Sequence, residues 1–532
     1  MVSLSPQLSK IILAFLLLTP WFSLYQKILF PHFAQTGFDG AVITLVELVF
    51  VIFISIFGKH PRVTKQGAYL LLAICGWHIS GFLSAYLSEH FYPSLIKQIE
   101  YLIHCMFAYS IWVFLSQTQK QEKMAWFLVF TFVWVIYYIF CAWYIADDPY
   151  SIDWVTQLPF FNNIRHSGFI LICFLPFLFL PLLYNLKNKT LITIALLSLY
   201  WGFLIWTCSR GTYFASLISI AAIYYFYKST PKIAFIITSS FLIGWIIALQ
   251  FPSISESLNP FRLWFLNFQH TDVIEANSLS SGRLDIWLKA FEAGINHNVL
   301  FGFGPNGYTY VSPTILTNTV HPHSSLFQLI SEYGFVGFAL LILLFINTLN
   351  IWSKNQPVQN KNTIIILSRV SVLSFIIGST VDGHFYYNFS LIYLAIIFSL
   401  SFTAANQIKP NKYIPLSLLV SCLVSIFFLK QHWATYTEQQ VELIDPQQLI
   451  QVEDFPSYYF PMKWLYGDKV IPELREKAVK LGQKHGPMKC NYFLTEYIDS
   501  KDTLHLTKDI ETHCRREDLN NFNIKDFHGS IK

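Results

Sequence analysis

Two histidines, His321 and His323, flank Pro322 at the head of the segment His323-Ser324-Ser325-Leu326-Phe327-Gln328-Leu329-Ile330-Ser331-Glu332-Tyr333-Gly334-Phe335-Val336-Gly337. An imidazole, with an ordinary pKa of about 6.5, is the side chain best suited to accept a proton near neutral pH. Both rings stand at the mouth of an apolar run, just after a long polar loop. An enzyme with a membrane-bound substrate would keep a base there. The inert alternative is a histidine that caps the helix or rests at the interface, and either ring could be the one that acts. Ser324 and Ser325 are suited to cap the helix that follows.

Cations near this mouth point to an anionic partner. Arg210 lies in Cys208-Ser209-Arg210-Gly211-Thr212, between two apolar runs. A guanidinium there can fork onto phosphate oxygens, of a substrate or of lipid. Arg283 and Arg165 are two more cations beside apolar segments, and three converging arginines would suit a diphosphate; lone surface arginines are the alternative. Asp382, His384, Tyr386 and Tyr387 precede a late apolar run and are accessory candidates, although tyrosine is also common at membrane interfaces. Glu332, about two and a half helical turns beyond His323, reads either as a core acid or as an inert buried carboxyl.

Other chemistries lack their motifs. The loops assigned to the outer side hold no Asp-x-Asp pair, since Asp147 and Asp148 are adjacent, and no Walker lysine motif occurs. Neither a metal nor any other cofactor is expected. Of eight cysteines, only Cys490 and Cys514 lie in polar sequence, and no Cys-x-x-Cys pair exists. A disulfide between those two is left open.

The elements that must hold these residues are membrane helices. The chain has 532 residues, 54% hydrophobic and only 13% charged, with mean hydropathy +0.44, whereas soluble domains carry about 25% charged residues. The net charge of +5 forms no compact basic stripe, which argues against nucleic acid and for loops that meet membrane lipids. Apolar runs long enough to span a bilayer cover 11–30, 40–57, 67–87, 97–116, 124–146, 167–184, 190–207, 212–227, 233–250, 324–348, 363–381, 388–405 and 413–430. The first is long enough for a retained helix rather than a signal-peptide core. The fold class is therefore an all-α polytopic membrane protein with 12–13 transmembrane helices.

Charge alternation sets the orientation. Lys59, Arg62 and Lys65, then Lys120 and Lys123, Lys187 and Lys189, Lys228 and Lys232, Lys354 and Lys361, Lys409 and Lys412 fall in every second loop. The positive-inside rule places those loops in the cytoplasm and the alternate ones outside. The outward regions are 147–166, the long loop 251–322 and the tail. Two domains follow: a membrane domain, 1–430, and a small soluble helical domain, 431–532, on the outer side. Within the long loop, Leu284, Trp287, Leu288 and Phe291 recur at helical spacing, an amphipathic helix expected at the membrane interface. Gly302-Phe303-Gly304-Pro305-Asn306-Gly307 then turns the chain.

With these residues in place, the chain resembles the O-antigen ligase and O-oligosaccharyltransferase superfamily. The family signature is His, then Asn, Ser or Gln, nine residues, Gly, two residues, and Gly, Thr or Tyr. His323, Ser324, Gly334 and Gly337 fit every place. The preceding long loop, Ser209-Arg210-Gly211, and Arg283-x-x-x-Trp287 followed by Gly302-Phe303-Gly304 are also similar, so the likeness runs over about 160–400. Asn162-x-x-Arg165 and Gly168 resemble an element of the protein-modifying branch, although that branch's Gln is absent and Ser167-Gly168 stands instead.

The resemblance implies glycan transfer from an undecaprenyl-diphosphate carrier without metal or nucleotide. His323 would serve as the base, and Arg210 and Arg283, with Arg165, would hold the diphosphate. His321, Tyr386 and Asp382 are accessory. The acceptor expected from the outward tail is Ser or Thr of an exported protein such as a type IV pilin. Lipid A-core, as in an O-antigen ligase, is the alternative. The setting implied is the bacterial inner membrane with the site facing the periplasm. A lipid-linked glycan transporter is the reading from another class; it would carry ionisable residues in mid-membrane and repeated halves.

Overall fold

The computed structural model describes residues 5–29, 39–61, 64–149, 158–161, 163–184, 186–207, 209–227, 230–251, 283–311, 321–354, 363–402 and 413–440, with the single positions 152, 154 and 476 besides. The expected domain over 431–532, beyond residue 440, and Cys490 and Cys514 with it, lie outside the described residues, as do 252–282 and 312–320 of the long loop.

In hydrocarbon each span must satisfy its own backbone hydrogen bonds, which leaves the helix as the available form for runs this apolar. The helices are α1 (Pro6–Leu29), α2 (Asp39–Phe57), α3 (Lys65–Leu87), α4 (Phe91–Thr118), α5 (Gln121–Ile145), α6 (Ile164–Phe174), α7 (Lys189–Thr207), α8 (Arg210–Phe226), α9 (Pro231–Ala248), α10 (Arg283–Asn298), α11 (the single turn Tyr308–Val311), α12 (Ser325–Lys354), α13 (Thr363–Thr380), α14 (Asn388–Leu400) and α15 (Tyr413–Gln440). No strand occurs among the described residues. Each apolar run in the sequence carries one helix, except 167–184, which is shared among α6, a 3-10 stretch and a further turn. Nine described helices are long and apolar enough to cross a membrane, and Val42–Phe57, Asn388–Leu400 and Tyr413–Leu429 are shorter apolar ones. The protein is an all-α polytopic membrane protein.

Local chemistry sets several helix ends. Thr64 accepts the Gly67 N–H at the start of α3, and Thr230 accepts the Ile233 N–H ahead of Pro231, which opens α9. Asn163 accepts the Arg165 N–H at 2.9 Å and so starts α6. Pro176 and Pro181 cannot donate, and the chain passes from α6 through a 3-10 stretch, Leu175–Phe179, to a last turn, Leu180–Leu183.

Large apolar side chains face outward, such as Leu72 and Phe427, 66% and 76% exposed. Lipid is their solvent, so burial of apolar area adds little to helix association; close packing and buried hydrogen bonds carry it. Trp77 of α3 stacks on Tyr333 of α12 with centroids 5.3 Å apart, and the Tyr333 hydroxyl donates to Gln98 Oε1 of α4 at 2.7 Å.

The most informative packing is a break in α12. Gly334 has φ 62° and ψ −169°, outside helical space and in a region open essentially to glycine alone. A Cβ there would lie 2.4 Å from the Leu300 carbonyl. The chain after α10 docks into the gap. Phe303 and Gly304 donate to the Ser331 and Glu332 carbonyls at 3.1 and 3.0 Å, while Phe335 and Val336 donate to Val299 and Leu300, both at 3.1 Å. Gly302, φ 65°, passes so close that a Cβ would meet the Ser331 carbonyl at 2.2 Å. The backbone groups freed by the break are thus paired with the incoming loop. The amphipathic helix α10 packs its apolar face on α12: Trp287 stacks on Phe327 at 5.2 Å and Phe291 meets Phe335 edge-on. Only Leu288 of that apolar set points away, 63% exposed.

Candidate active site

α12 begins where the histidines lie. Ser324 accepts the Phe327 N–H at 3.4 Å, an N-cap contact, and donates its own proton to the Thr380 carbonyl at 2.6 Å. Ser325 ties the same turn to the α13–α14 connection: its N–H donates to the Asp382 carbonyl at 3.1 Å, and its hydroxyl accepts the Phe385 N–H at 3.2 Å. The start of α12 and the turn 381–387 are one knitted unit.

The two histidines have different places in it. The His323 backbone is left-handed, φ 53°, a region rare for a residue with a Cβ. Its N–H donates to His321 Nδ1 at 3.1 Å, and His321 Nε2 lies 3.2 Å from the Tyr387 hydroxyl. A backbone N–H can only donate, so Nδ1 of His321 is unprotonated. The proton of the neutral ring is then on Nε2, which donates to Tyr387. His321 is 2% exposed, and burial, with the cationic groups around it, holds its pKa well below the usual value. Both its nitrogens are occupied in holding structure. The His323 side chain is 32% exposed, and its Nδ1 stands 4.0 Å from Asp382 Oδ1. Burial, then the nearby Arg283 and Arg165 charges, lowers its pKa to about 4. It is a neutral imidazole with an accessible edge.

Around it the cations converge. Arg283, first residue of α10, donates to the Val381 carbonyl and lies 3.8 Å from Asp382 Oδ2. Asp382 is nearly buried; burial raises its pKa, opposed by Arg283 and by the Gly383 N–H, which it accepts at 2.9 Å. Arg165, on the first turn of α6, and Arg210, first residue of α8, lie within the electrostatic reach of Arg283 and of each other. Gly168 lets α6 and α8 meet there: a Cβ on it would sit 2.0 Å from the Thr212 hydroxyl. Helix ends from separate parts of the chain thus bring Arg283, Arg165 and the Asp382 carboxylate around His323, with Arg210 joining the cluster through the two other arginines. That excess of positive charge suits a ligand with two phosphates.

Of the residues singled out in the sequence, His323, His321, Arg283 and Asp382 touch or nearly touch, and Arg165 and Arg210 complete the cationic rim. The Tyr386 ring packs on His321 at 5.1 Å. Glu332 lies apart in the loop–helix junction, where it accepts from Gln328 Nε2 at 3.2 Å and from the Tyr308 N–H at 3.4 Å; its place is structural. His384 is buried between Phe169 and Phe375, with ring centroids 4.2 and 5.2 Å away. Among the described residues no group of three His, Cys, Asp or Glu is arranged to hold a metal.

One set of residues went unnoticed in the sequence. Lys97, Glu100, Tyr101 and His104 form a polar stripe on α4 inside an apolar run. Their i, i+3, i+4, i+7 spacing was the available signal. With Glu47 of α2, they put ionisable groups within the spans.

The fold is all-α and membrane-spanning, with arginines and histidines gathered at one mouth. Residues 193–342 match the O-antigen ligase family model. The matched stretch includes Arg210, Arg283, His321, His323, Gly334 and Gly337, and leaves Arg165, Asp382 and Tyr386 outside. The match supports the O-antigen ligase superfamily and, in general terms, an enzyme that transfers lipid-linked glycans. Searches of curated proteins and of solved structures find no match.

Proposed function

We propose that this protein transfers an oligosaccharide from an undecaprenyl-diphosphate carrier to a hydroxyl of an exported protein, Ser or Thr of a type IV pilin being the first candidate. The reaction takes place at the periplasmic face of the bacterial inner membrane. One observation carries the reading: a neutral, accessible His323 beside Arg283 and Arg165, with Arg210 in reach of both. The donor arrives activated, so the enzyme needs positioning, a base and charge for the leaving group. The acceptor oxygen attacks the anomeric carbon as its proton passes to the His323 ring. The bond from that carbon to the diphosphate oxygen breaks, and the diphosphate departs with the electron pair against Arg210, Arg283 and Arg165. Direct attack inverts the anomeric centre. Asp382 keeps Arg283 aimed and, when His323 takes the proton, faces the imidazolium. His321 holds the His323 backbone, which supports His323 as the base.

The description of the matching family favours a second reading, in which lipid A-core is the acceptor. The tail, 431–532, which the charge alternation would place outside, favours the protein acceptor. Intact masses of candidate pilins, with a lipopolysaccharide gel, from cells with and without the gene decide between them. The expected result is a pilin mass shift lost on deletion, restored by the wild type and not by His323→Ala. Loss of the lipopolysaccharide ladder instead selects the ligase reading. Transfer that survives His323→Ala with full modification overturns the mechanism and reopens the transporter reading. Removing residues 441–532 is expected to change which acceptors are modified; unchanged acceptor choice would remove the tail from recognition.

A further inference from the structure

Beneath the site, inside the membrane, lies a group of charges that the proposed chemistry does not use. Lys97 of α4 is 8% exposed. Its ammonium reaches Glu100 Oε2 at 3.1 Å, the Tyr386 carbonyl at 3.0 Å and Asn388 Oδ1 at 3.1 Å. Asn388 donates from Nδ2 to Glu100 Oε2 at 3.0 Å. His104 connects Asn388 Oδ1, 3.1 Å from Nε2, to Glu47 Oε1, 2.8 Å from Nδ1. Tyr101 donates to the Phe385 carbonyl at 3.0 Å. One face of α4 therefore grips the connection between α13 and α14 at residues 385, 386 and 388.

That connection carries the support of the two histidines. Tyr387 bonds His321. The Tyr386 ring lies between the Lys97 ammonium, 5.5 Å from its centroid, and the His321 ring, 5.1 Å away. Lys97 thus reaches His321 by two routes, through the Tyr386 ring and through the backbone that sets Tyr387. His321 in turn holds the left-handed His323. A buried ammonium costs several kcal/mol unless its protons are all taken, and here its three protons have three acceptors, two of them in the 386–388 turn.

We propose that Lys97 is a positioning residue for His323: it holds the Tyr386–Asn388 turn so that Tyr387 keeps the His321 ring oriented with Nδ1 toward the His323 N–H, and His321 fixes the His323 backbone. This deepens the proposed transferase reading and rests on it for its kinetic consequence. A displacement of the base by about 1 Å is enough to slow chemistry on the order of 100-fold without loss of substrate binding.

The test uses the full-length protein in lipid nanodiscs. Lys97→Met is compared with Lys97→Arg, which keeps the charge and donors, and with the wild type. The first readout is the 15N spectrum of the His321 ring. The wild type is expected to show the Nε2–H neutral tautomer. Lys97→Met is expected to show a mixture of tautomers, and Lys97→Arg to restore the wild-type signal in part. The second readout is transfer from a lipid-linked donor per folded molecule. In Lys97→Met, kcat is expected to fall about 10- to 100-fold with the donor KM little changed, and Lys97→Arg to recover part of it. A merely structural role would lower yield and melting temperature and leave both the ring signal and kcat per folded molecule as in the wild type; that result overturns the proposal. If the wild type transfers no glycan, the transferase reading fails, while the His321 spectrum still decides whether Lys97 positions the pair. Should Lys97→Met fail to fold, Asn388→Ala, which removes one Lys97 contact in the turn, is read the same way.

Discussion

The outward mouth and the cluster beneath it use charge in opposite ways. At the mouth, Arg165, Arg210 and Arg283 come together, and the Arg283–Asp382 pair is loose at 3.8 Å. Below, the Lys97 ammonium and the Glu100 carboxylate are matched at 3.1 Å, with Asn388 and His104 taking further polar groups. Like charges gathered at one mouth suit an anionic ligand. Charge matched within hydrocarbon is bound up in holding helices, because an unpaired ion there is too costly. Under the proposed function the mouth meets substrate and the buried cluster supports it, a division in which ionisable residues within spans serve structure rather than transport.

The comparison breaks most severely at His323. Its replacement by Ala is expected to lower glycan transfer about 10²- to 10⁴-fold, as loss of a general base does, while the protein still inserts. A transfer assay with lipid-linked donor reads this, and near-wild-type turnover would move the base elsewhere. Next comes Gly334→Ala, which forces a Cβ into the Leu300 carbonyl and a glycine-only conformation. A loss of about 3 kcal/mol in stability is expected, seen as a lowered melting temperature in detergent; an unchanged one would mean that the break in α12 closes freely.

Arg210→Ala sharpens the contrast from the side of the mouth. Losing one charge-assisted contact to the diphosphate is expected to cost about 2 kcal/mol, roughly 30-fold in donor kcat/KM. Glu100→Gln, in the matched cluster, should leave the donor KM unaltered. If both variants change the donor KM equally, the division of labour is wrong.

The smallest effect is in pH. Because burial and the two arginines lower the His323 pKa to about 4, its basic form is present above that value and is lost as pH falls through it. An NMR titration of the resting protein should find the ring neutral at pH 5.5. Arg283→Gln removes a repelling cation and should move the midpoint up, toward 6.5. A wild-type midpoint already at 6.5 would show the ring to be fully solvated.

Much of this was legible in the residues. The spacing of His323, Gly334 and Gly337 marked the loop, and the fold explains it. Gly334 allows the break that receives the loop after α10, Ser324 caps the helix, and Gly302 passes against the Ser331 carbonyl. The role of His321 was not legible, because it depends on a hydrogen bond to Tyr387, remote in sequence. The α4 stripe was legible in principle, but it lay inside a run whose hydrophobicity concealed it.

The helices and the class of protein were determined by the sequence alone, since in lipid each span must close its own hydrogen bonds and apolar length is enough to show it. The tertiary structure alone decided which charges meet. Arg165, Arg210, Arg283 and Asp382 come from four separate places in the chain, and electrostatic energy depends on distances that packing sets. It also decided which histidine is left with an accessible ring, because a tautomer follows from its neighbours' donors and acceptors.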